Sequence, residues 1–89
     1  MSDTISPWIG LAIKRLRQFH GMSQGELAAK AEITQAYVSK IERASDNLNV
    51  NLGILSRLAN VFDIRLSDLI RKAEDANVDD LLKSYLDEA

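Results

Sequence analysis

The 89-residue chain has no cysteine. Disulfides and thiolate metal sites are therefore excluded, and a reducing compartment fits. Its one histidine, His20, cannot build a metal cluster alone, so no metal and no cofactor is expected. There is one proline, Pro7, and only four glycines. Turns and helix ends must therefore come mostly from other residues. No run of about 18 apolar residues exists, so no membrane span is expected. The opening MSDTISPW has neither a basic region nor an apolar core and does not read as a secretory signal. No paired carboxylates, nucleophile constellation or phosphate loop suggests an enzyme. These absences leave a one-domain cytoplasmic protein with no catalytic residues.

The net charge is -2, but it is unevenly spread. Residues 1–72 hold ten Lys/Arg and seven Asp/Glu, a balance of +3. Residues 73–89 hold Lys83 against six carboxylates, a balance of -5. Binding follows the local field rather than the total, so an acidic total does not exclude a nucleic-acid partner.

Helical spacing dominates, and no segment alternates like a strand. Ser6 is expected to cap a first helix, with Pro7 at its first position. Ile9, Ile13 and Leu16 share one face of that helix, and Gly21 ends it. Ser23 and Glu26 form a capping box for a second helix, with Met22 and Leu27 in staple positions. A turn at Ala31, Glu32 and Ile33 leads to a third helix capped by Thr34, with Ile33 stapled onto Val38. Residues 44–50 read as a polar loop. Asn51 is expected to cap a fourth helix with Leu52, Leu55, Leu58, Ala59 and Phe62 inward. Ser67 is expected to cap a fifth helix and Asn77 a sixth. In that sixth helix Val78, Leu81, Leu82, Tyr85 and Leu86 form an apolar stripe.

From Gln24 to Arg43, small Ala28 allows two helices to cross closely, and Ile33, Val38 and Ile41 fix the second helix to the core. Its far side is left with Gln35, Ala36, Ser39, Lys40 and Arg43. These sizes and donors suit a DNA major groove.

This window resembles the helix-turn-helix family of phage lambda repressor and Cro (Xre-type). The likeness extends to "IGLAIKRLRQFHGMSQGELAAKAEITQAYVSKIER" and "NLGILSRLANVFDIRLSDLI", roughly residues 9 to 70. It implies an all-α fold: a compact five-helix DNA-binding domain, here with an additional C-terminal helix. Residues 6–72 would form that domain, with the helix-turn-helix at 24–43. Residues 73–89 would form an acidic amphipathic helix for dimerisation or packing.

Residue by residue, the resemblance implies that Gln24 and Thr34 meet DNA phosphates. Gln35 and Ala36 would meet base edges, a Gln pairing with adenine and an Ala methyl with thymine. Ser39 and Lys40 come next, Arg43 would reach a guanine or a phosphate, and Asn47 would donate from the loop. Arg17 and Glu42 would form a partly buried structural ion pair. Two positions depart from the family pattern. Glu32 stands where glycine suits a left-handed backbone, at a cost of about 1–2 kcal/mol. The loop 44–49 is not basic, which removes phosphate contacts worth about 0.9 log units of salt dependence each.

Blander readings stand beside these. Lys14, Arg15 and Lys30 fit a solvated face, Tyr37 a half-buried packing role, and His20 the end of the first helix. Trp8, Leu11 and Phe19 fall outside the main stripe of helix one. They either cover core edges or meet the C-terminal stripe of the same or another chain. The dimer interface is assigned to Leu66, Leu69, Ile70, Val78, Leu81, Leu82, Tyr85 and Leu86.

The expected function is sequence-specific binding of double-stranded DNA by a homodimeric transcriptional regulator on a pseudo-palindromic operator. No membrane and no small-molecule ligand is involved. The chain's size and its ER…N…L run are also similar to restriction–modification controller proteins, and phage repressors or self-repressing antitoxins fit as well. The alternative is a protein-interaction module of the same fold, antitoxin-like or partner-binding, with little DNA binding of its own.

Overall fold

The computed structural model describes residues 6–43 and 50–88, with the side chains of 8–43, 50–76, 82 and 83. Five helices follow one another: α1 (Ser6–Phe19), α2 (Gln24–Ala31), α3 (Gln35–Glu42), α4 (Leu52–Val61) and α5 (Leu66–Glu88). Among the described residues there is no strand. The all-α architecture is the one the sequence implies, but the additional C-terminal helix is not a separate element among the described residues.

The core forms where the apolar stripes meet. Ile13, Leu27, Val38, Ile41, Leu58 and Leu69 are fully buried, so every helix contributes to one cluster. Fully burying each such side chain is worth about 1.5–3 kcal/mol. Small residues set the spacing: Ala12, Ala28, Ala31, Ala59 and Ala73 are all buried between helices.

The helix starts follow local chemistry. The Ser23 hydroxyl accepts from Glu26 N while the Glu26 carboxylate accepts from Ser23 N, closing the expected capping box. The Thr34 hydroxyl accepts from Tyr37 N, and the Asn51 side chain accepts from Ile54 N. Met22, Ile33 and Val50, each just before a cap, pack against the core.

Three helix ends share one device. At each, the chain enters the left-handed region: Gly21 at φ 66°, Glu32 at φ 58° and Asp63 at φ 56°. The next residue's N–H then reaches five residues back: Met22 N to Arg17 O, Ile33 N to Ala28 O, Ile64 N to Ala59 O. These are Schellman closures. The apolar residue after each, Met22, Ile33 or Ile64, packs against the core. Glu32 thus occupies the conformation expected of it. Asp63 is a second non-glycine case that its sequence context did not suggest.

Several expectations are corrected. The fifth and sixth helices are one continuous 23-residue helix, α5. Asn77 lies inside it, and no Gly or Pro stands between Leu66 and Glu88 to break it; Asn in a helix interior costs under about 0.7 kcal/mol. The domain boundary drawn after Lys72 therefore falls within a helix. Ser67 does not cap α5, because the helix begins one residue earlier. Arg65 holds the cap position, and the Asp68 carboxylate accepts from Arg65 N at 3.1 Å. At the other end of the chain α1 already includes Ser6, one residue before the expected start. Leu52 is 68% exposed rather than inward. It is the first residue of α4, beyond the core edge, and Val50 packs there instead.

Candidate nucleic-acid interface

The exposed face of α3 is defined by what the opposite face must do. Val38 and Ile41 are buried, and Tyr37 is half-buried against the same core. An α-helix then turns Gln35, Ala36 and Lys40 outward, and all three are exposed, as are Thr34 and Arg43. Ser39 is half-buried.

A polar clamp fixes this helix from behind. Arg17 Nε donates to Glu42 Oε2 at 2.7 Å, and Arg17 Nη2 donates to Glu42 Oε1 at 2.9 Å. The pair is bidentate and largely buried, with side-chain exposures of 12% and 3%. Arg17 Nη1 also donates to the Met22 carbonyl at 2.8 Å. Gln24 Nε2 donates to Glu42 Oε1 at 3.2 Å. The Glu42 carboxylate therefore ties α3 to α1 and to the first residue of α2, and Arg17 extends the clamp to the turn before α2. Hydrogen bonding to Glu42 pushes the Arg17 guanidinium above its ordinary value, more than partial burial pulls it down. The resemblance implied the Arg17–Glu42 pair; the Met22 carbonyl and Gln24 are additions that no local pattern signals.

A second lock is steric. A Cβ on Gly10 would collide with the Ile41 carbonyl oxygen and lie 3.2 Å from its carbon. Only glycine lets α1 approach the end of α3 this closely. Gly10 escaped the sequence reading: within IGLAI it is only a weak helix former, and the opposing Ile41 carbonyl that requires it comes from another helix.

The N-termini of α2 and α3 converge. A Cβ on Gly25 would lie 3.3 Å from Gln35 Oε1, so the Gln35 amide rests over the first turn of α2. The first internal bond of α2 runs from Leu27 N to Ser23 O. The amides of Gln24 and Gly25 precede it and point out of the helix end. Gln24 itself is half-buried and already donates one hydrogen to Glu42. One amide hydrogen and the helix end remain for an anion.

Other expected residues fall elsewhere. Asn47 lies outside the described residues, as do the side chains of Val78, Leu81, Tyr85 and Leu86. Leu69 is withdrawn from the interface: it is 0% exposed and spent in the chain's own core. A stripe shows that a face is covered, not by which chain. Leu66 and Ile70 are half-buried against that core, and Leu82 is 55% exposed. Arg15 borders a groove between α1 and α5, and Lys30 borders a pocket with Arg57 of α4. His20 stacks on Phe62, ring centres 5.4 Å apart. Among the described residues no helix is long and apolar enough to cross a membrane.

A model of the helix-turn-helix family matches residues 13–69. The chain belongs to this helix-turn-helix family. It is 36% identical over 78 residues to the HTH-type transcriptional regulator SinR of Bacillus licheniformis, spanning 85% of this chain and 68% of SinR. SinR of Bacillus subtilis (strain 168) matches with the same identity and coverage. The helix-turn-helix fold here is similar to that of ClgR, the clp gene regulator of Corynebacterium glutamicum, with a TM-score of 0.86. That match is 18% identical and covers 99% of this chain and 92% of ClgR. A second ClgR structure matches with a TM-score of 0.73 and 20% identity over 83% of this chain and 94% of that one. At such identities the likeness to ClgR concerns the fold. In this helix-turn-helix, α2 and α3 are the paired helices and α3 is the outward one.

Proposed function

We propose that the chain is a transcriptional regulator that binds double-stranded DNA with α3 in the major groove. The observation that carries this is the polar outer face of α3, with Gln35, Ala36 and Lys40 exposed. It sits on a helix immobilised by Val38, Ile41, the Glu42 clamp and the Gly10 contact. Gln35 reads a base edge, Ala36 and Ser39 fill beside it, and Lys40 and Arg43 supply cationic contacts. The end of α2, with Gln24, and the cap residue Thr34 take phosphates. Its relatives carry the name of HTH-type transcriptional regulators, which supports the regulatory role. Those names say nothing of restriction–modification.

The chain acts as a homodimer on a pseudo-palindromic operator, with two α3 helices about 34 Å apart on one DNA face. Sequence selection from a random DNA pool tests this. The expected product is an inverted repeat with half-sites one helical turn apart. Failure to enrich any sequence at about 50 mM salt, where electrostatic binding is strongest, would favour the protein-interaction module instead.

A further inference from the structure

Gly25 stands in the first turn of α2, where a glycine weakens the helix. Its backbone is not left-handed, unlike that of Gly21, so no turn requires it. What a side chain would meet explains it better. A Cβ there would lie 3.3 Å from Gln35 Oε1 and 3.9 Å from Gln35 Cδ, with Ser23 Oγ at 3.8 Å. Gln35 is the first residue of α3. Its amide therefore reaches across to α2 and lies where a side chain larger than a methyl at position 25 would stand.

The amide lies there oxygen first. Oε1 is nearer to position 25 than Cδ, and Nε2 is no nearer than either. The end of α2 favours this orientation. It is the positive end of the helix dipole, and the N–H groups of Gln24 and Gly25 have no partner within the helix. The Ser23 hydroxyl is already taken by Glu26 N. Such an end attracts a carbonyl oxygen and repels an NH2 group. Gln35 as a whole is exposed, so its NH2 group is left to the open face of α3.

We propose that Gly25 is a positioning residue for base reading: it lets α2 hold the Gln35 carbonyl, so that Gln35 meets DNA as a donor only and selects guanine. This rests on the DNA reading of α3 and names the base that Gln35 reads. In the major groove guanine presents two adjacent acceptors, N7 and O6, and the two hydrogens of one NH2 group can serve both. Adenine presents an acceptor beside a donor, so pairing with it uses both ends of the amide. Here the oxygen end is held at α2. Thymine offers O4 alone, and cytosine offers a donor.

Wild type, Gly25→Ala and Gly25→Val test this. Both substitutions raise helix propensity at this position, and circular dichroism checks that each protein is folded. In the free protein, the heteronuclear NOE of the Gln35 side-chain amide reads the contact. It should be high in wild type, lower in Gly25→Ala, and in Gly25→Val close to that of the exposed Gln18. On DNA selected from a random pool, wild type should require guanine at one position, with affinity about tenfold or more lower for adenine there. Gly25→Val should cut that ratio to about threefold or less, and Gln35→Ala should remove it. A position that depends on Gln35 but carries adenine in wild type overturns the proposal. So does a Gly25→Val protein that binds every sequence more weakly with its guanine preference intact, the result expected if position 25 only touches a phosphate. Failure of every protein to select a sequence overturns the DNA reading, and the choice of base with it, while the Gln35 amide signal still decides the Gly25 contact by itself.

Discussion

Buried Val38 and Ile41, the Glu42 carboxylate and the close approach of Gly10 to the Ile41 carbonyl hold α3 in place. Gly10 gives the closest approach, and Gly10→Ala would push α1 off the Ile41 carbonyl. Overpacking of this kind costs about 1–3 kcal/mol, and it should appear as a lower urea midpoint together with weaker DNA binding. Glu42→Ala should cost about 3–5 kcal/mol, because it strands the Arg17 guanidinium in a largely buried site. The same unfolding measurement reads it. The two non-glycine left-handed residues give a ranked pair. Glu32→Gly should gain up to about 1 kcal/mol, relief of αL strain less the entropy of glycine. Asp63→Gly should gain less, since Asp tolerates αL better. Base preference should be unchanged in both.

Among the elements, the starts of α2, α3 and α4 were legible because caps are local, while Ser6 and Ser67 lie inside α1 and α5. Ser23 with Glu26, Thr34 and Asn51 each announce a helix within four residues, and all three accept the backbone hydrogen bond expected of them. Continuity was not legible. Asn77 followed by two aspartates resembles a cap with an acidic first turn, yet the surroundings of α5 contain no breaker strong enough to stop it. Nor could periodicity tell that Leu69 belongs to the chain's own core, since the same stripe serves either partner. The core residues of α2 and α3 were legible from spacing, and the roles of Gln24 and Gly10 were not, because both depend on which helix lies opposite. The α2 cap also makes a pH prediction. Hydrogen bonds from the Ser23 backbone and hydroxyl hold the Glu26 carboxyl below its ordinary value of 4.5. A lowered folded value means stability present above the unfolded value and lost as pH falls through the folded one. Wild type should therefore exceed Glu26→Gln in urea midpoint at pH 7, and the gap should close as pH is taken below about 4.

Across the whole molecule, the balance of charge separates two surfaces. The part up to residue 72 is net positive and the last seventeen residues are net negative. On the α3 face Lys40 and Arg43 are exposed, and they are the cationic contacts of the proposed DNA complex. Few cationic contacts imply a shallow salt dependence of DNA binding, about 0.9 log units per phosphate neutralised. Changing Lys40 to Ala should lower that slope by about one unit and weaken all sequences alike. Whether α3 reads base identity is decided by the affinity of wild type and Gln35→Ala for the selected operator and its single-base variants. Gln35→Ala should lose about 1–3 kcal/mol on the preferred site and no longer distinguish the base at one position of each half-site. Equal weakening on every sequence, with the base preference intact, would contradict it.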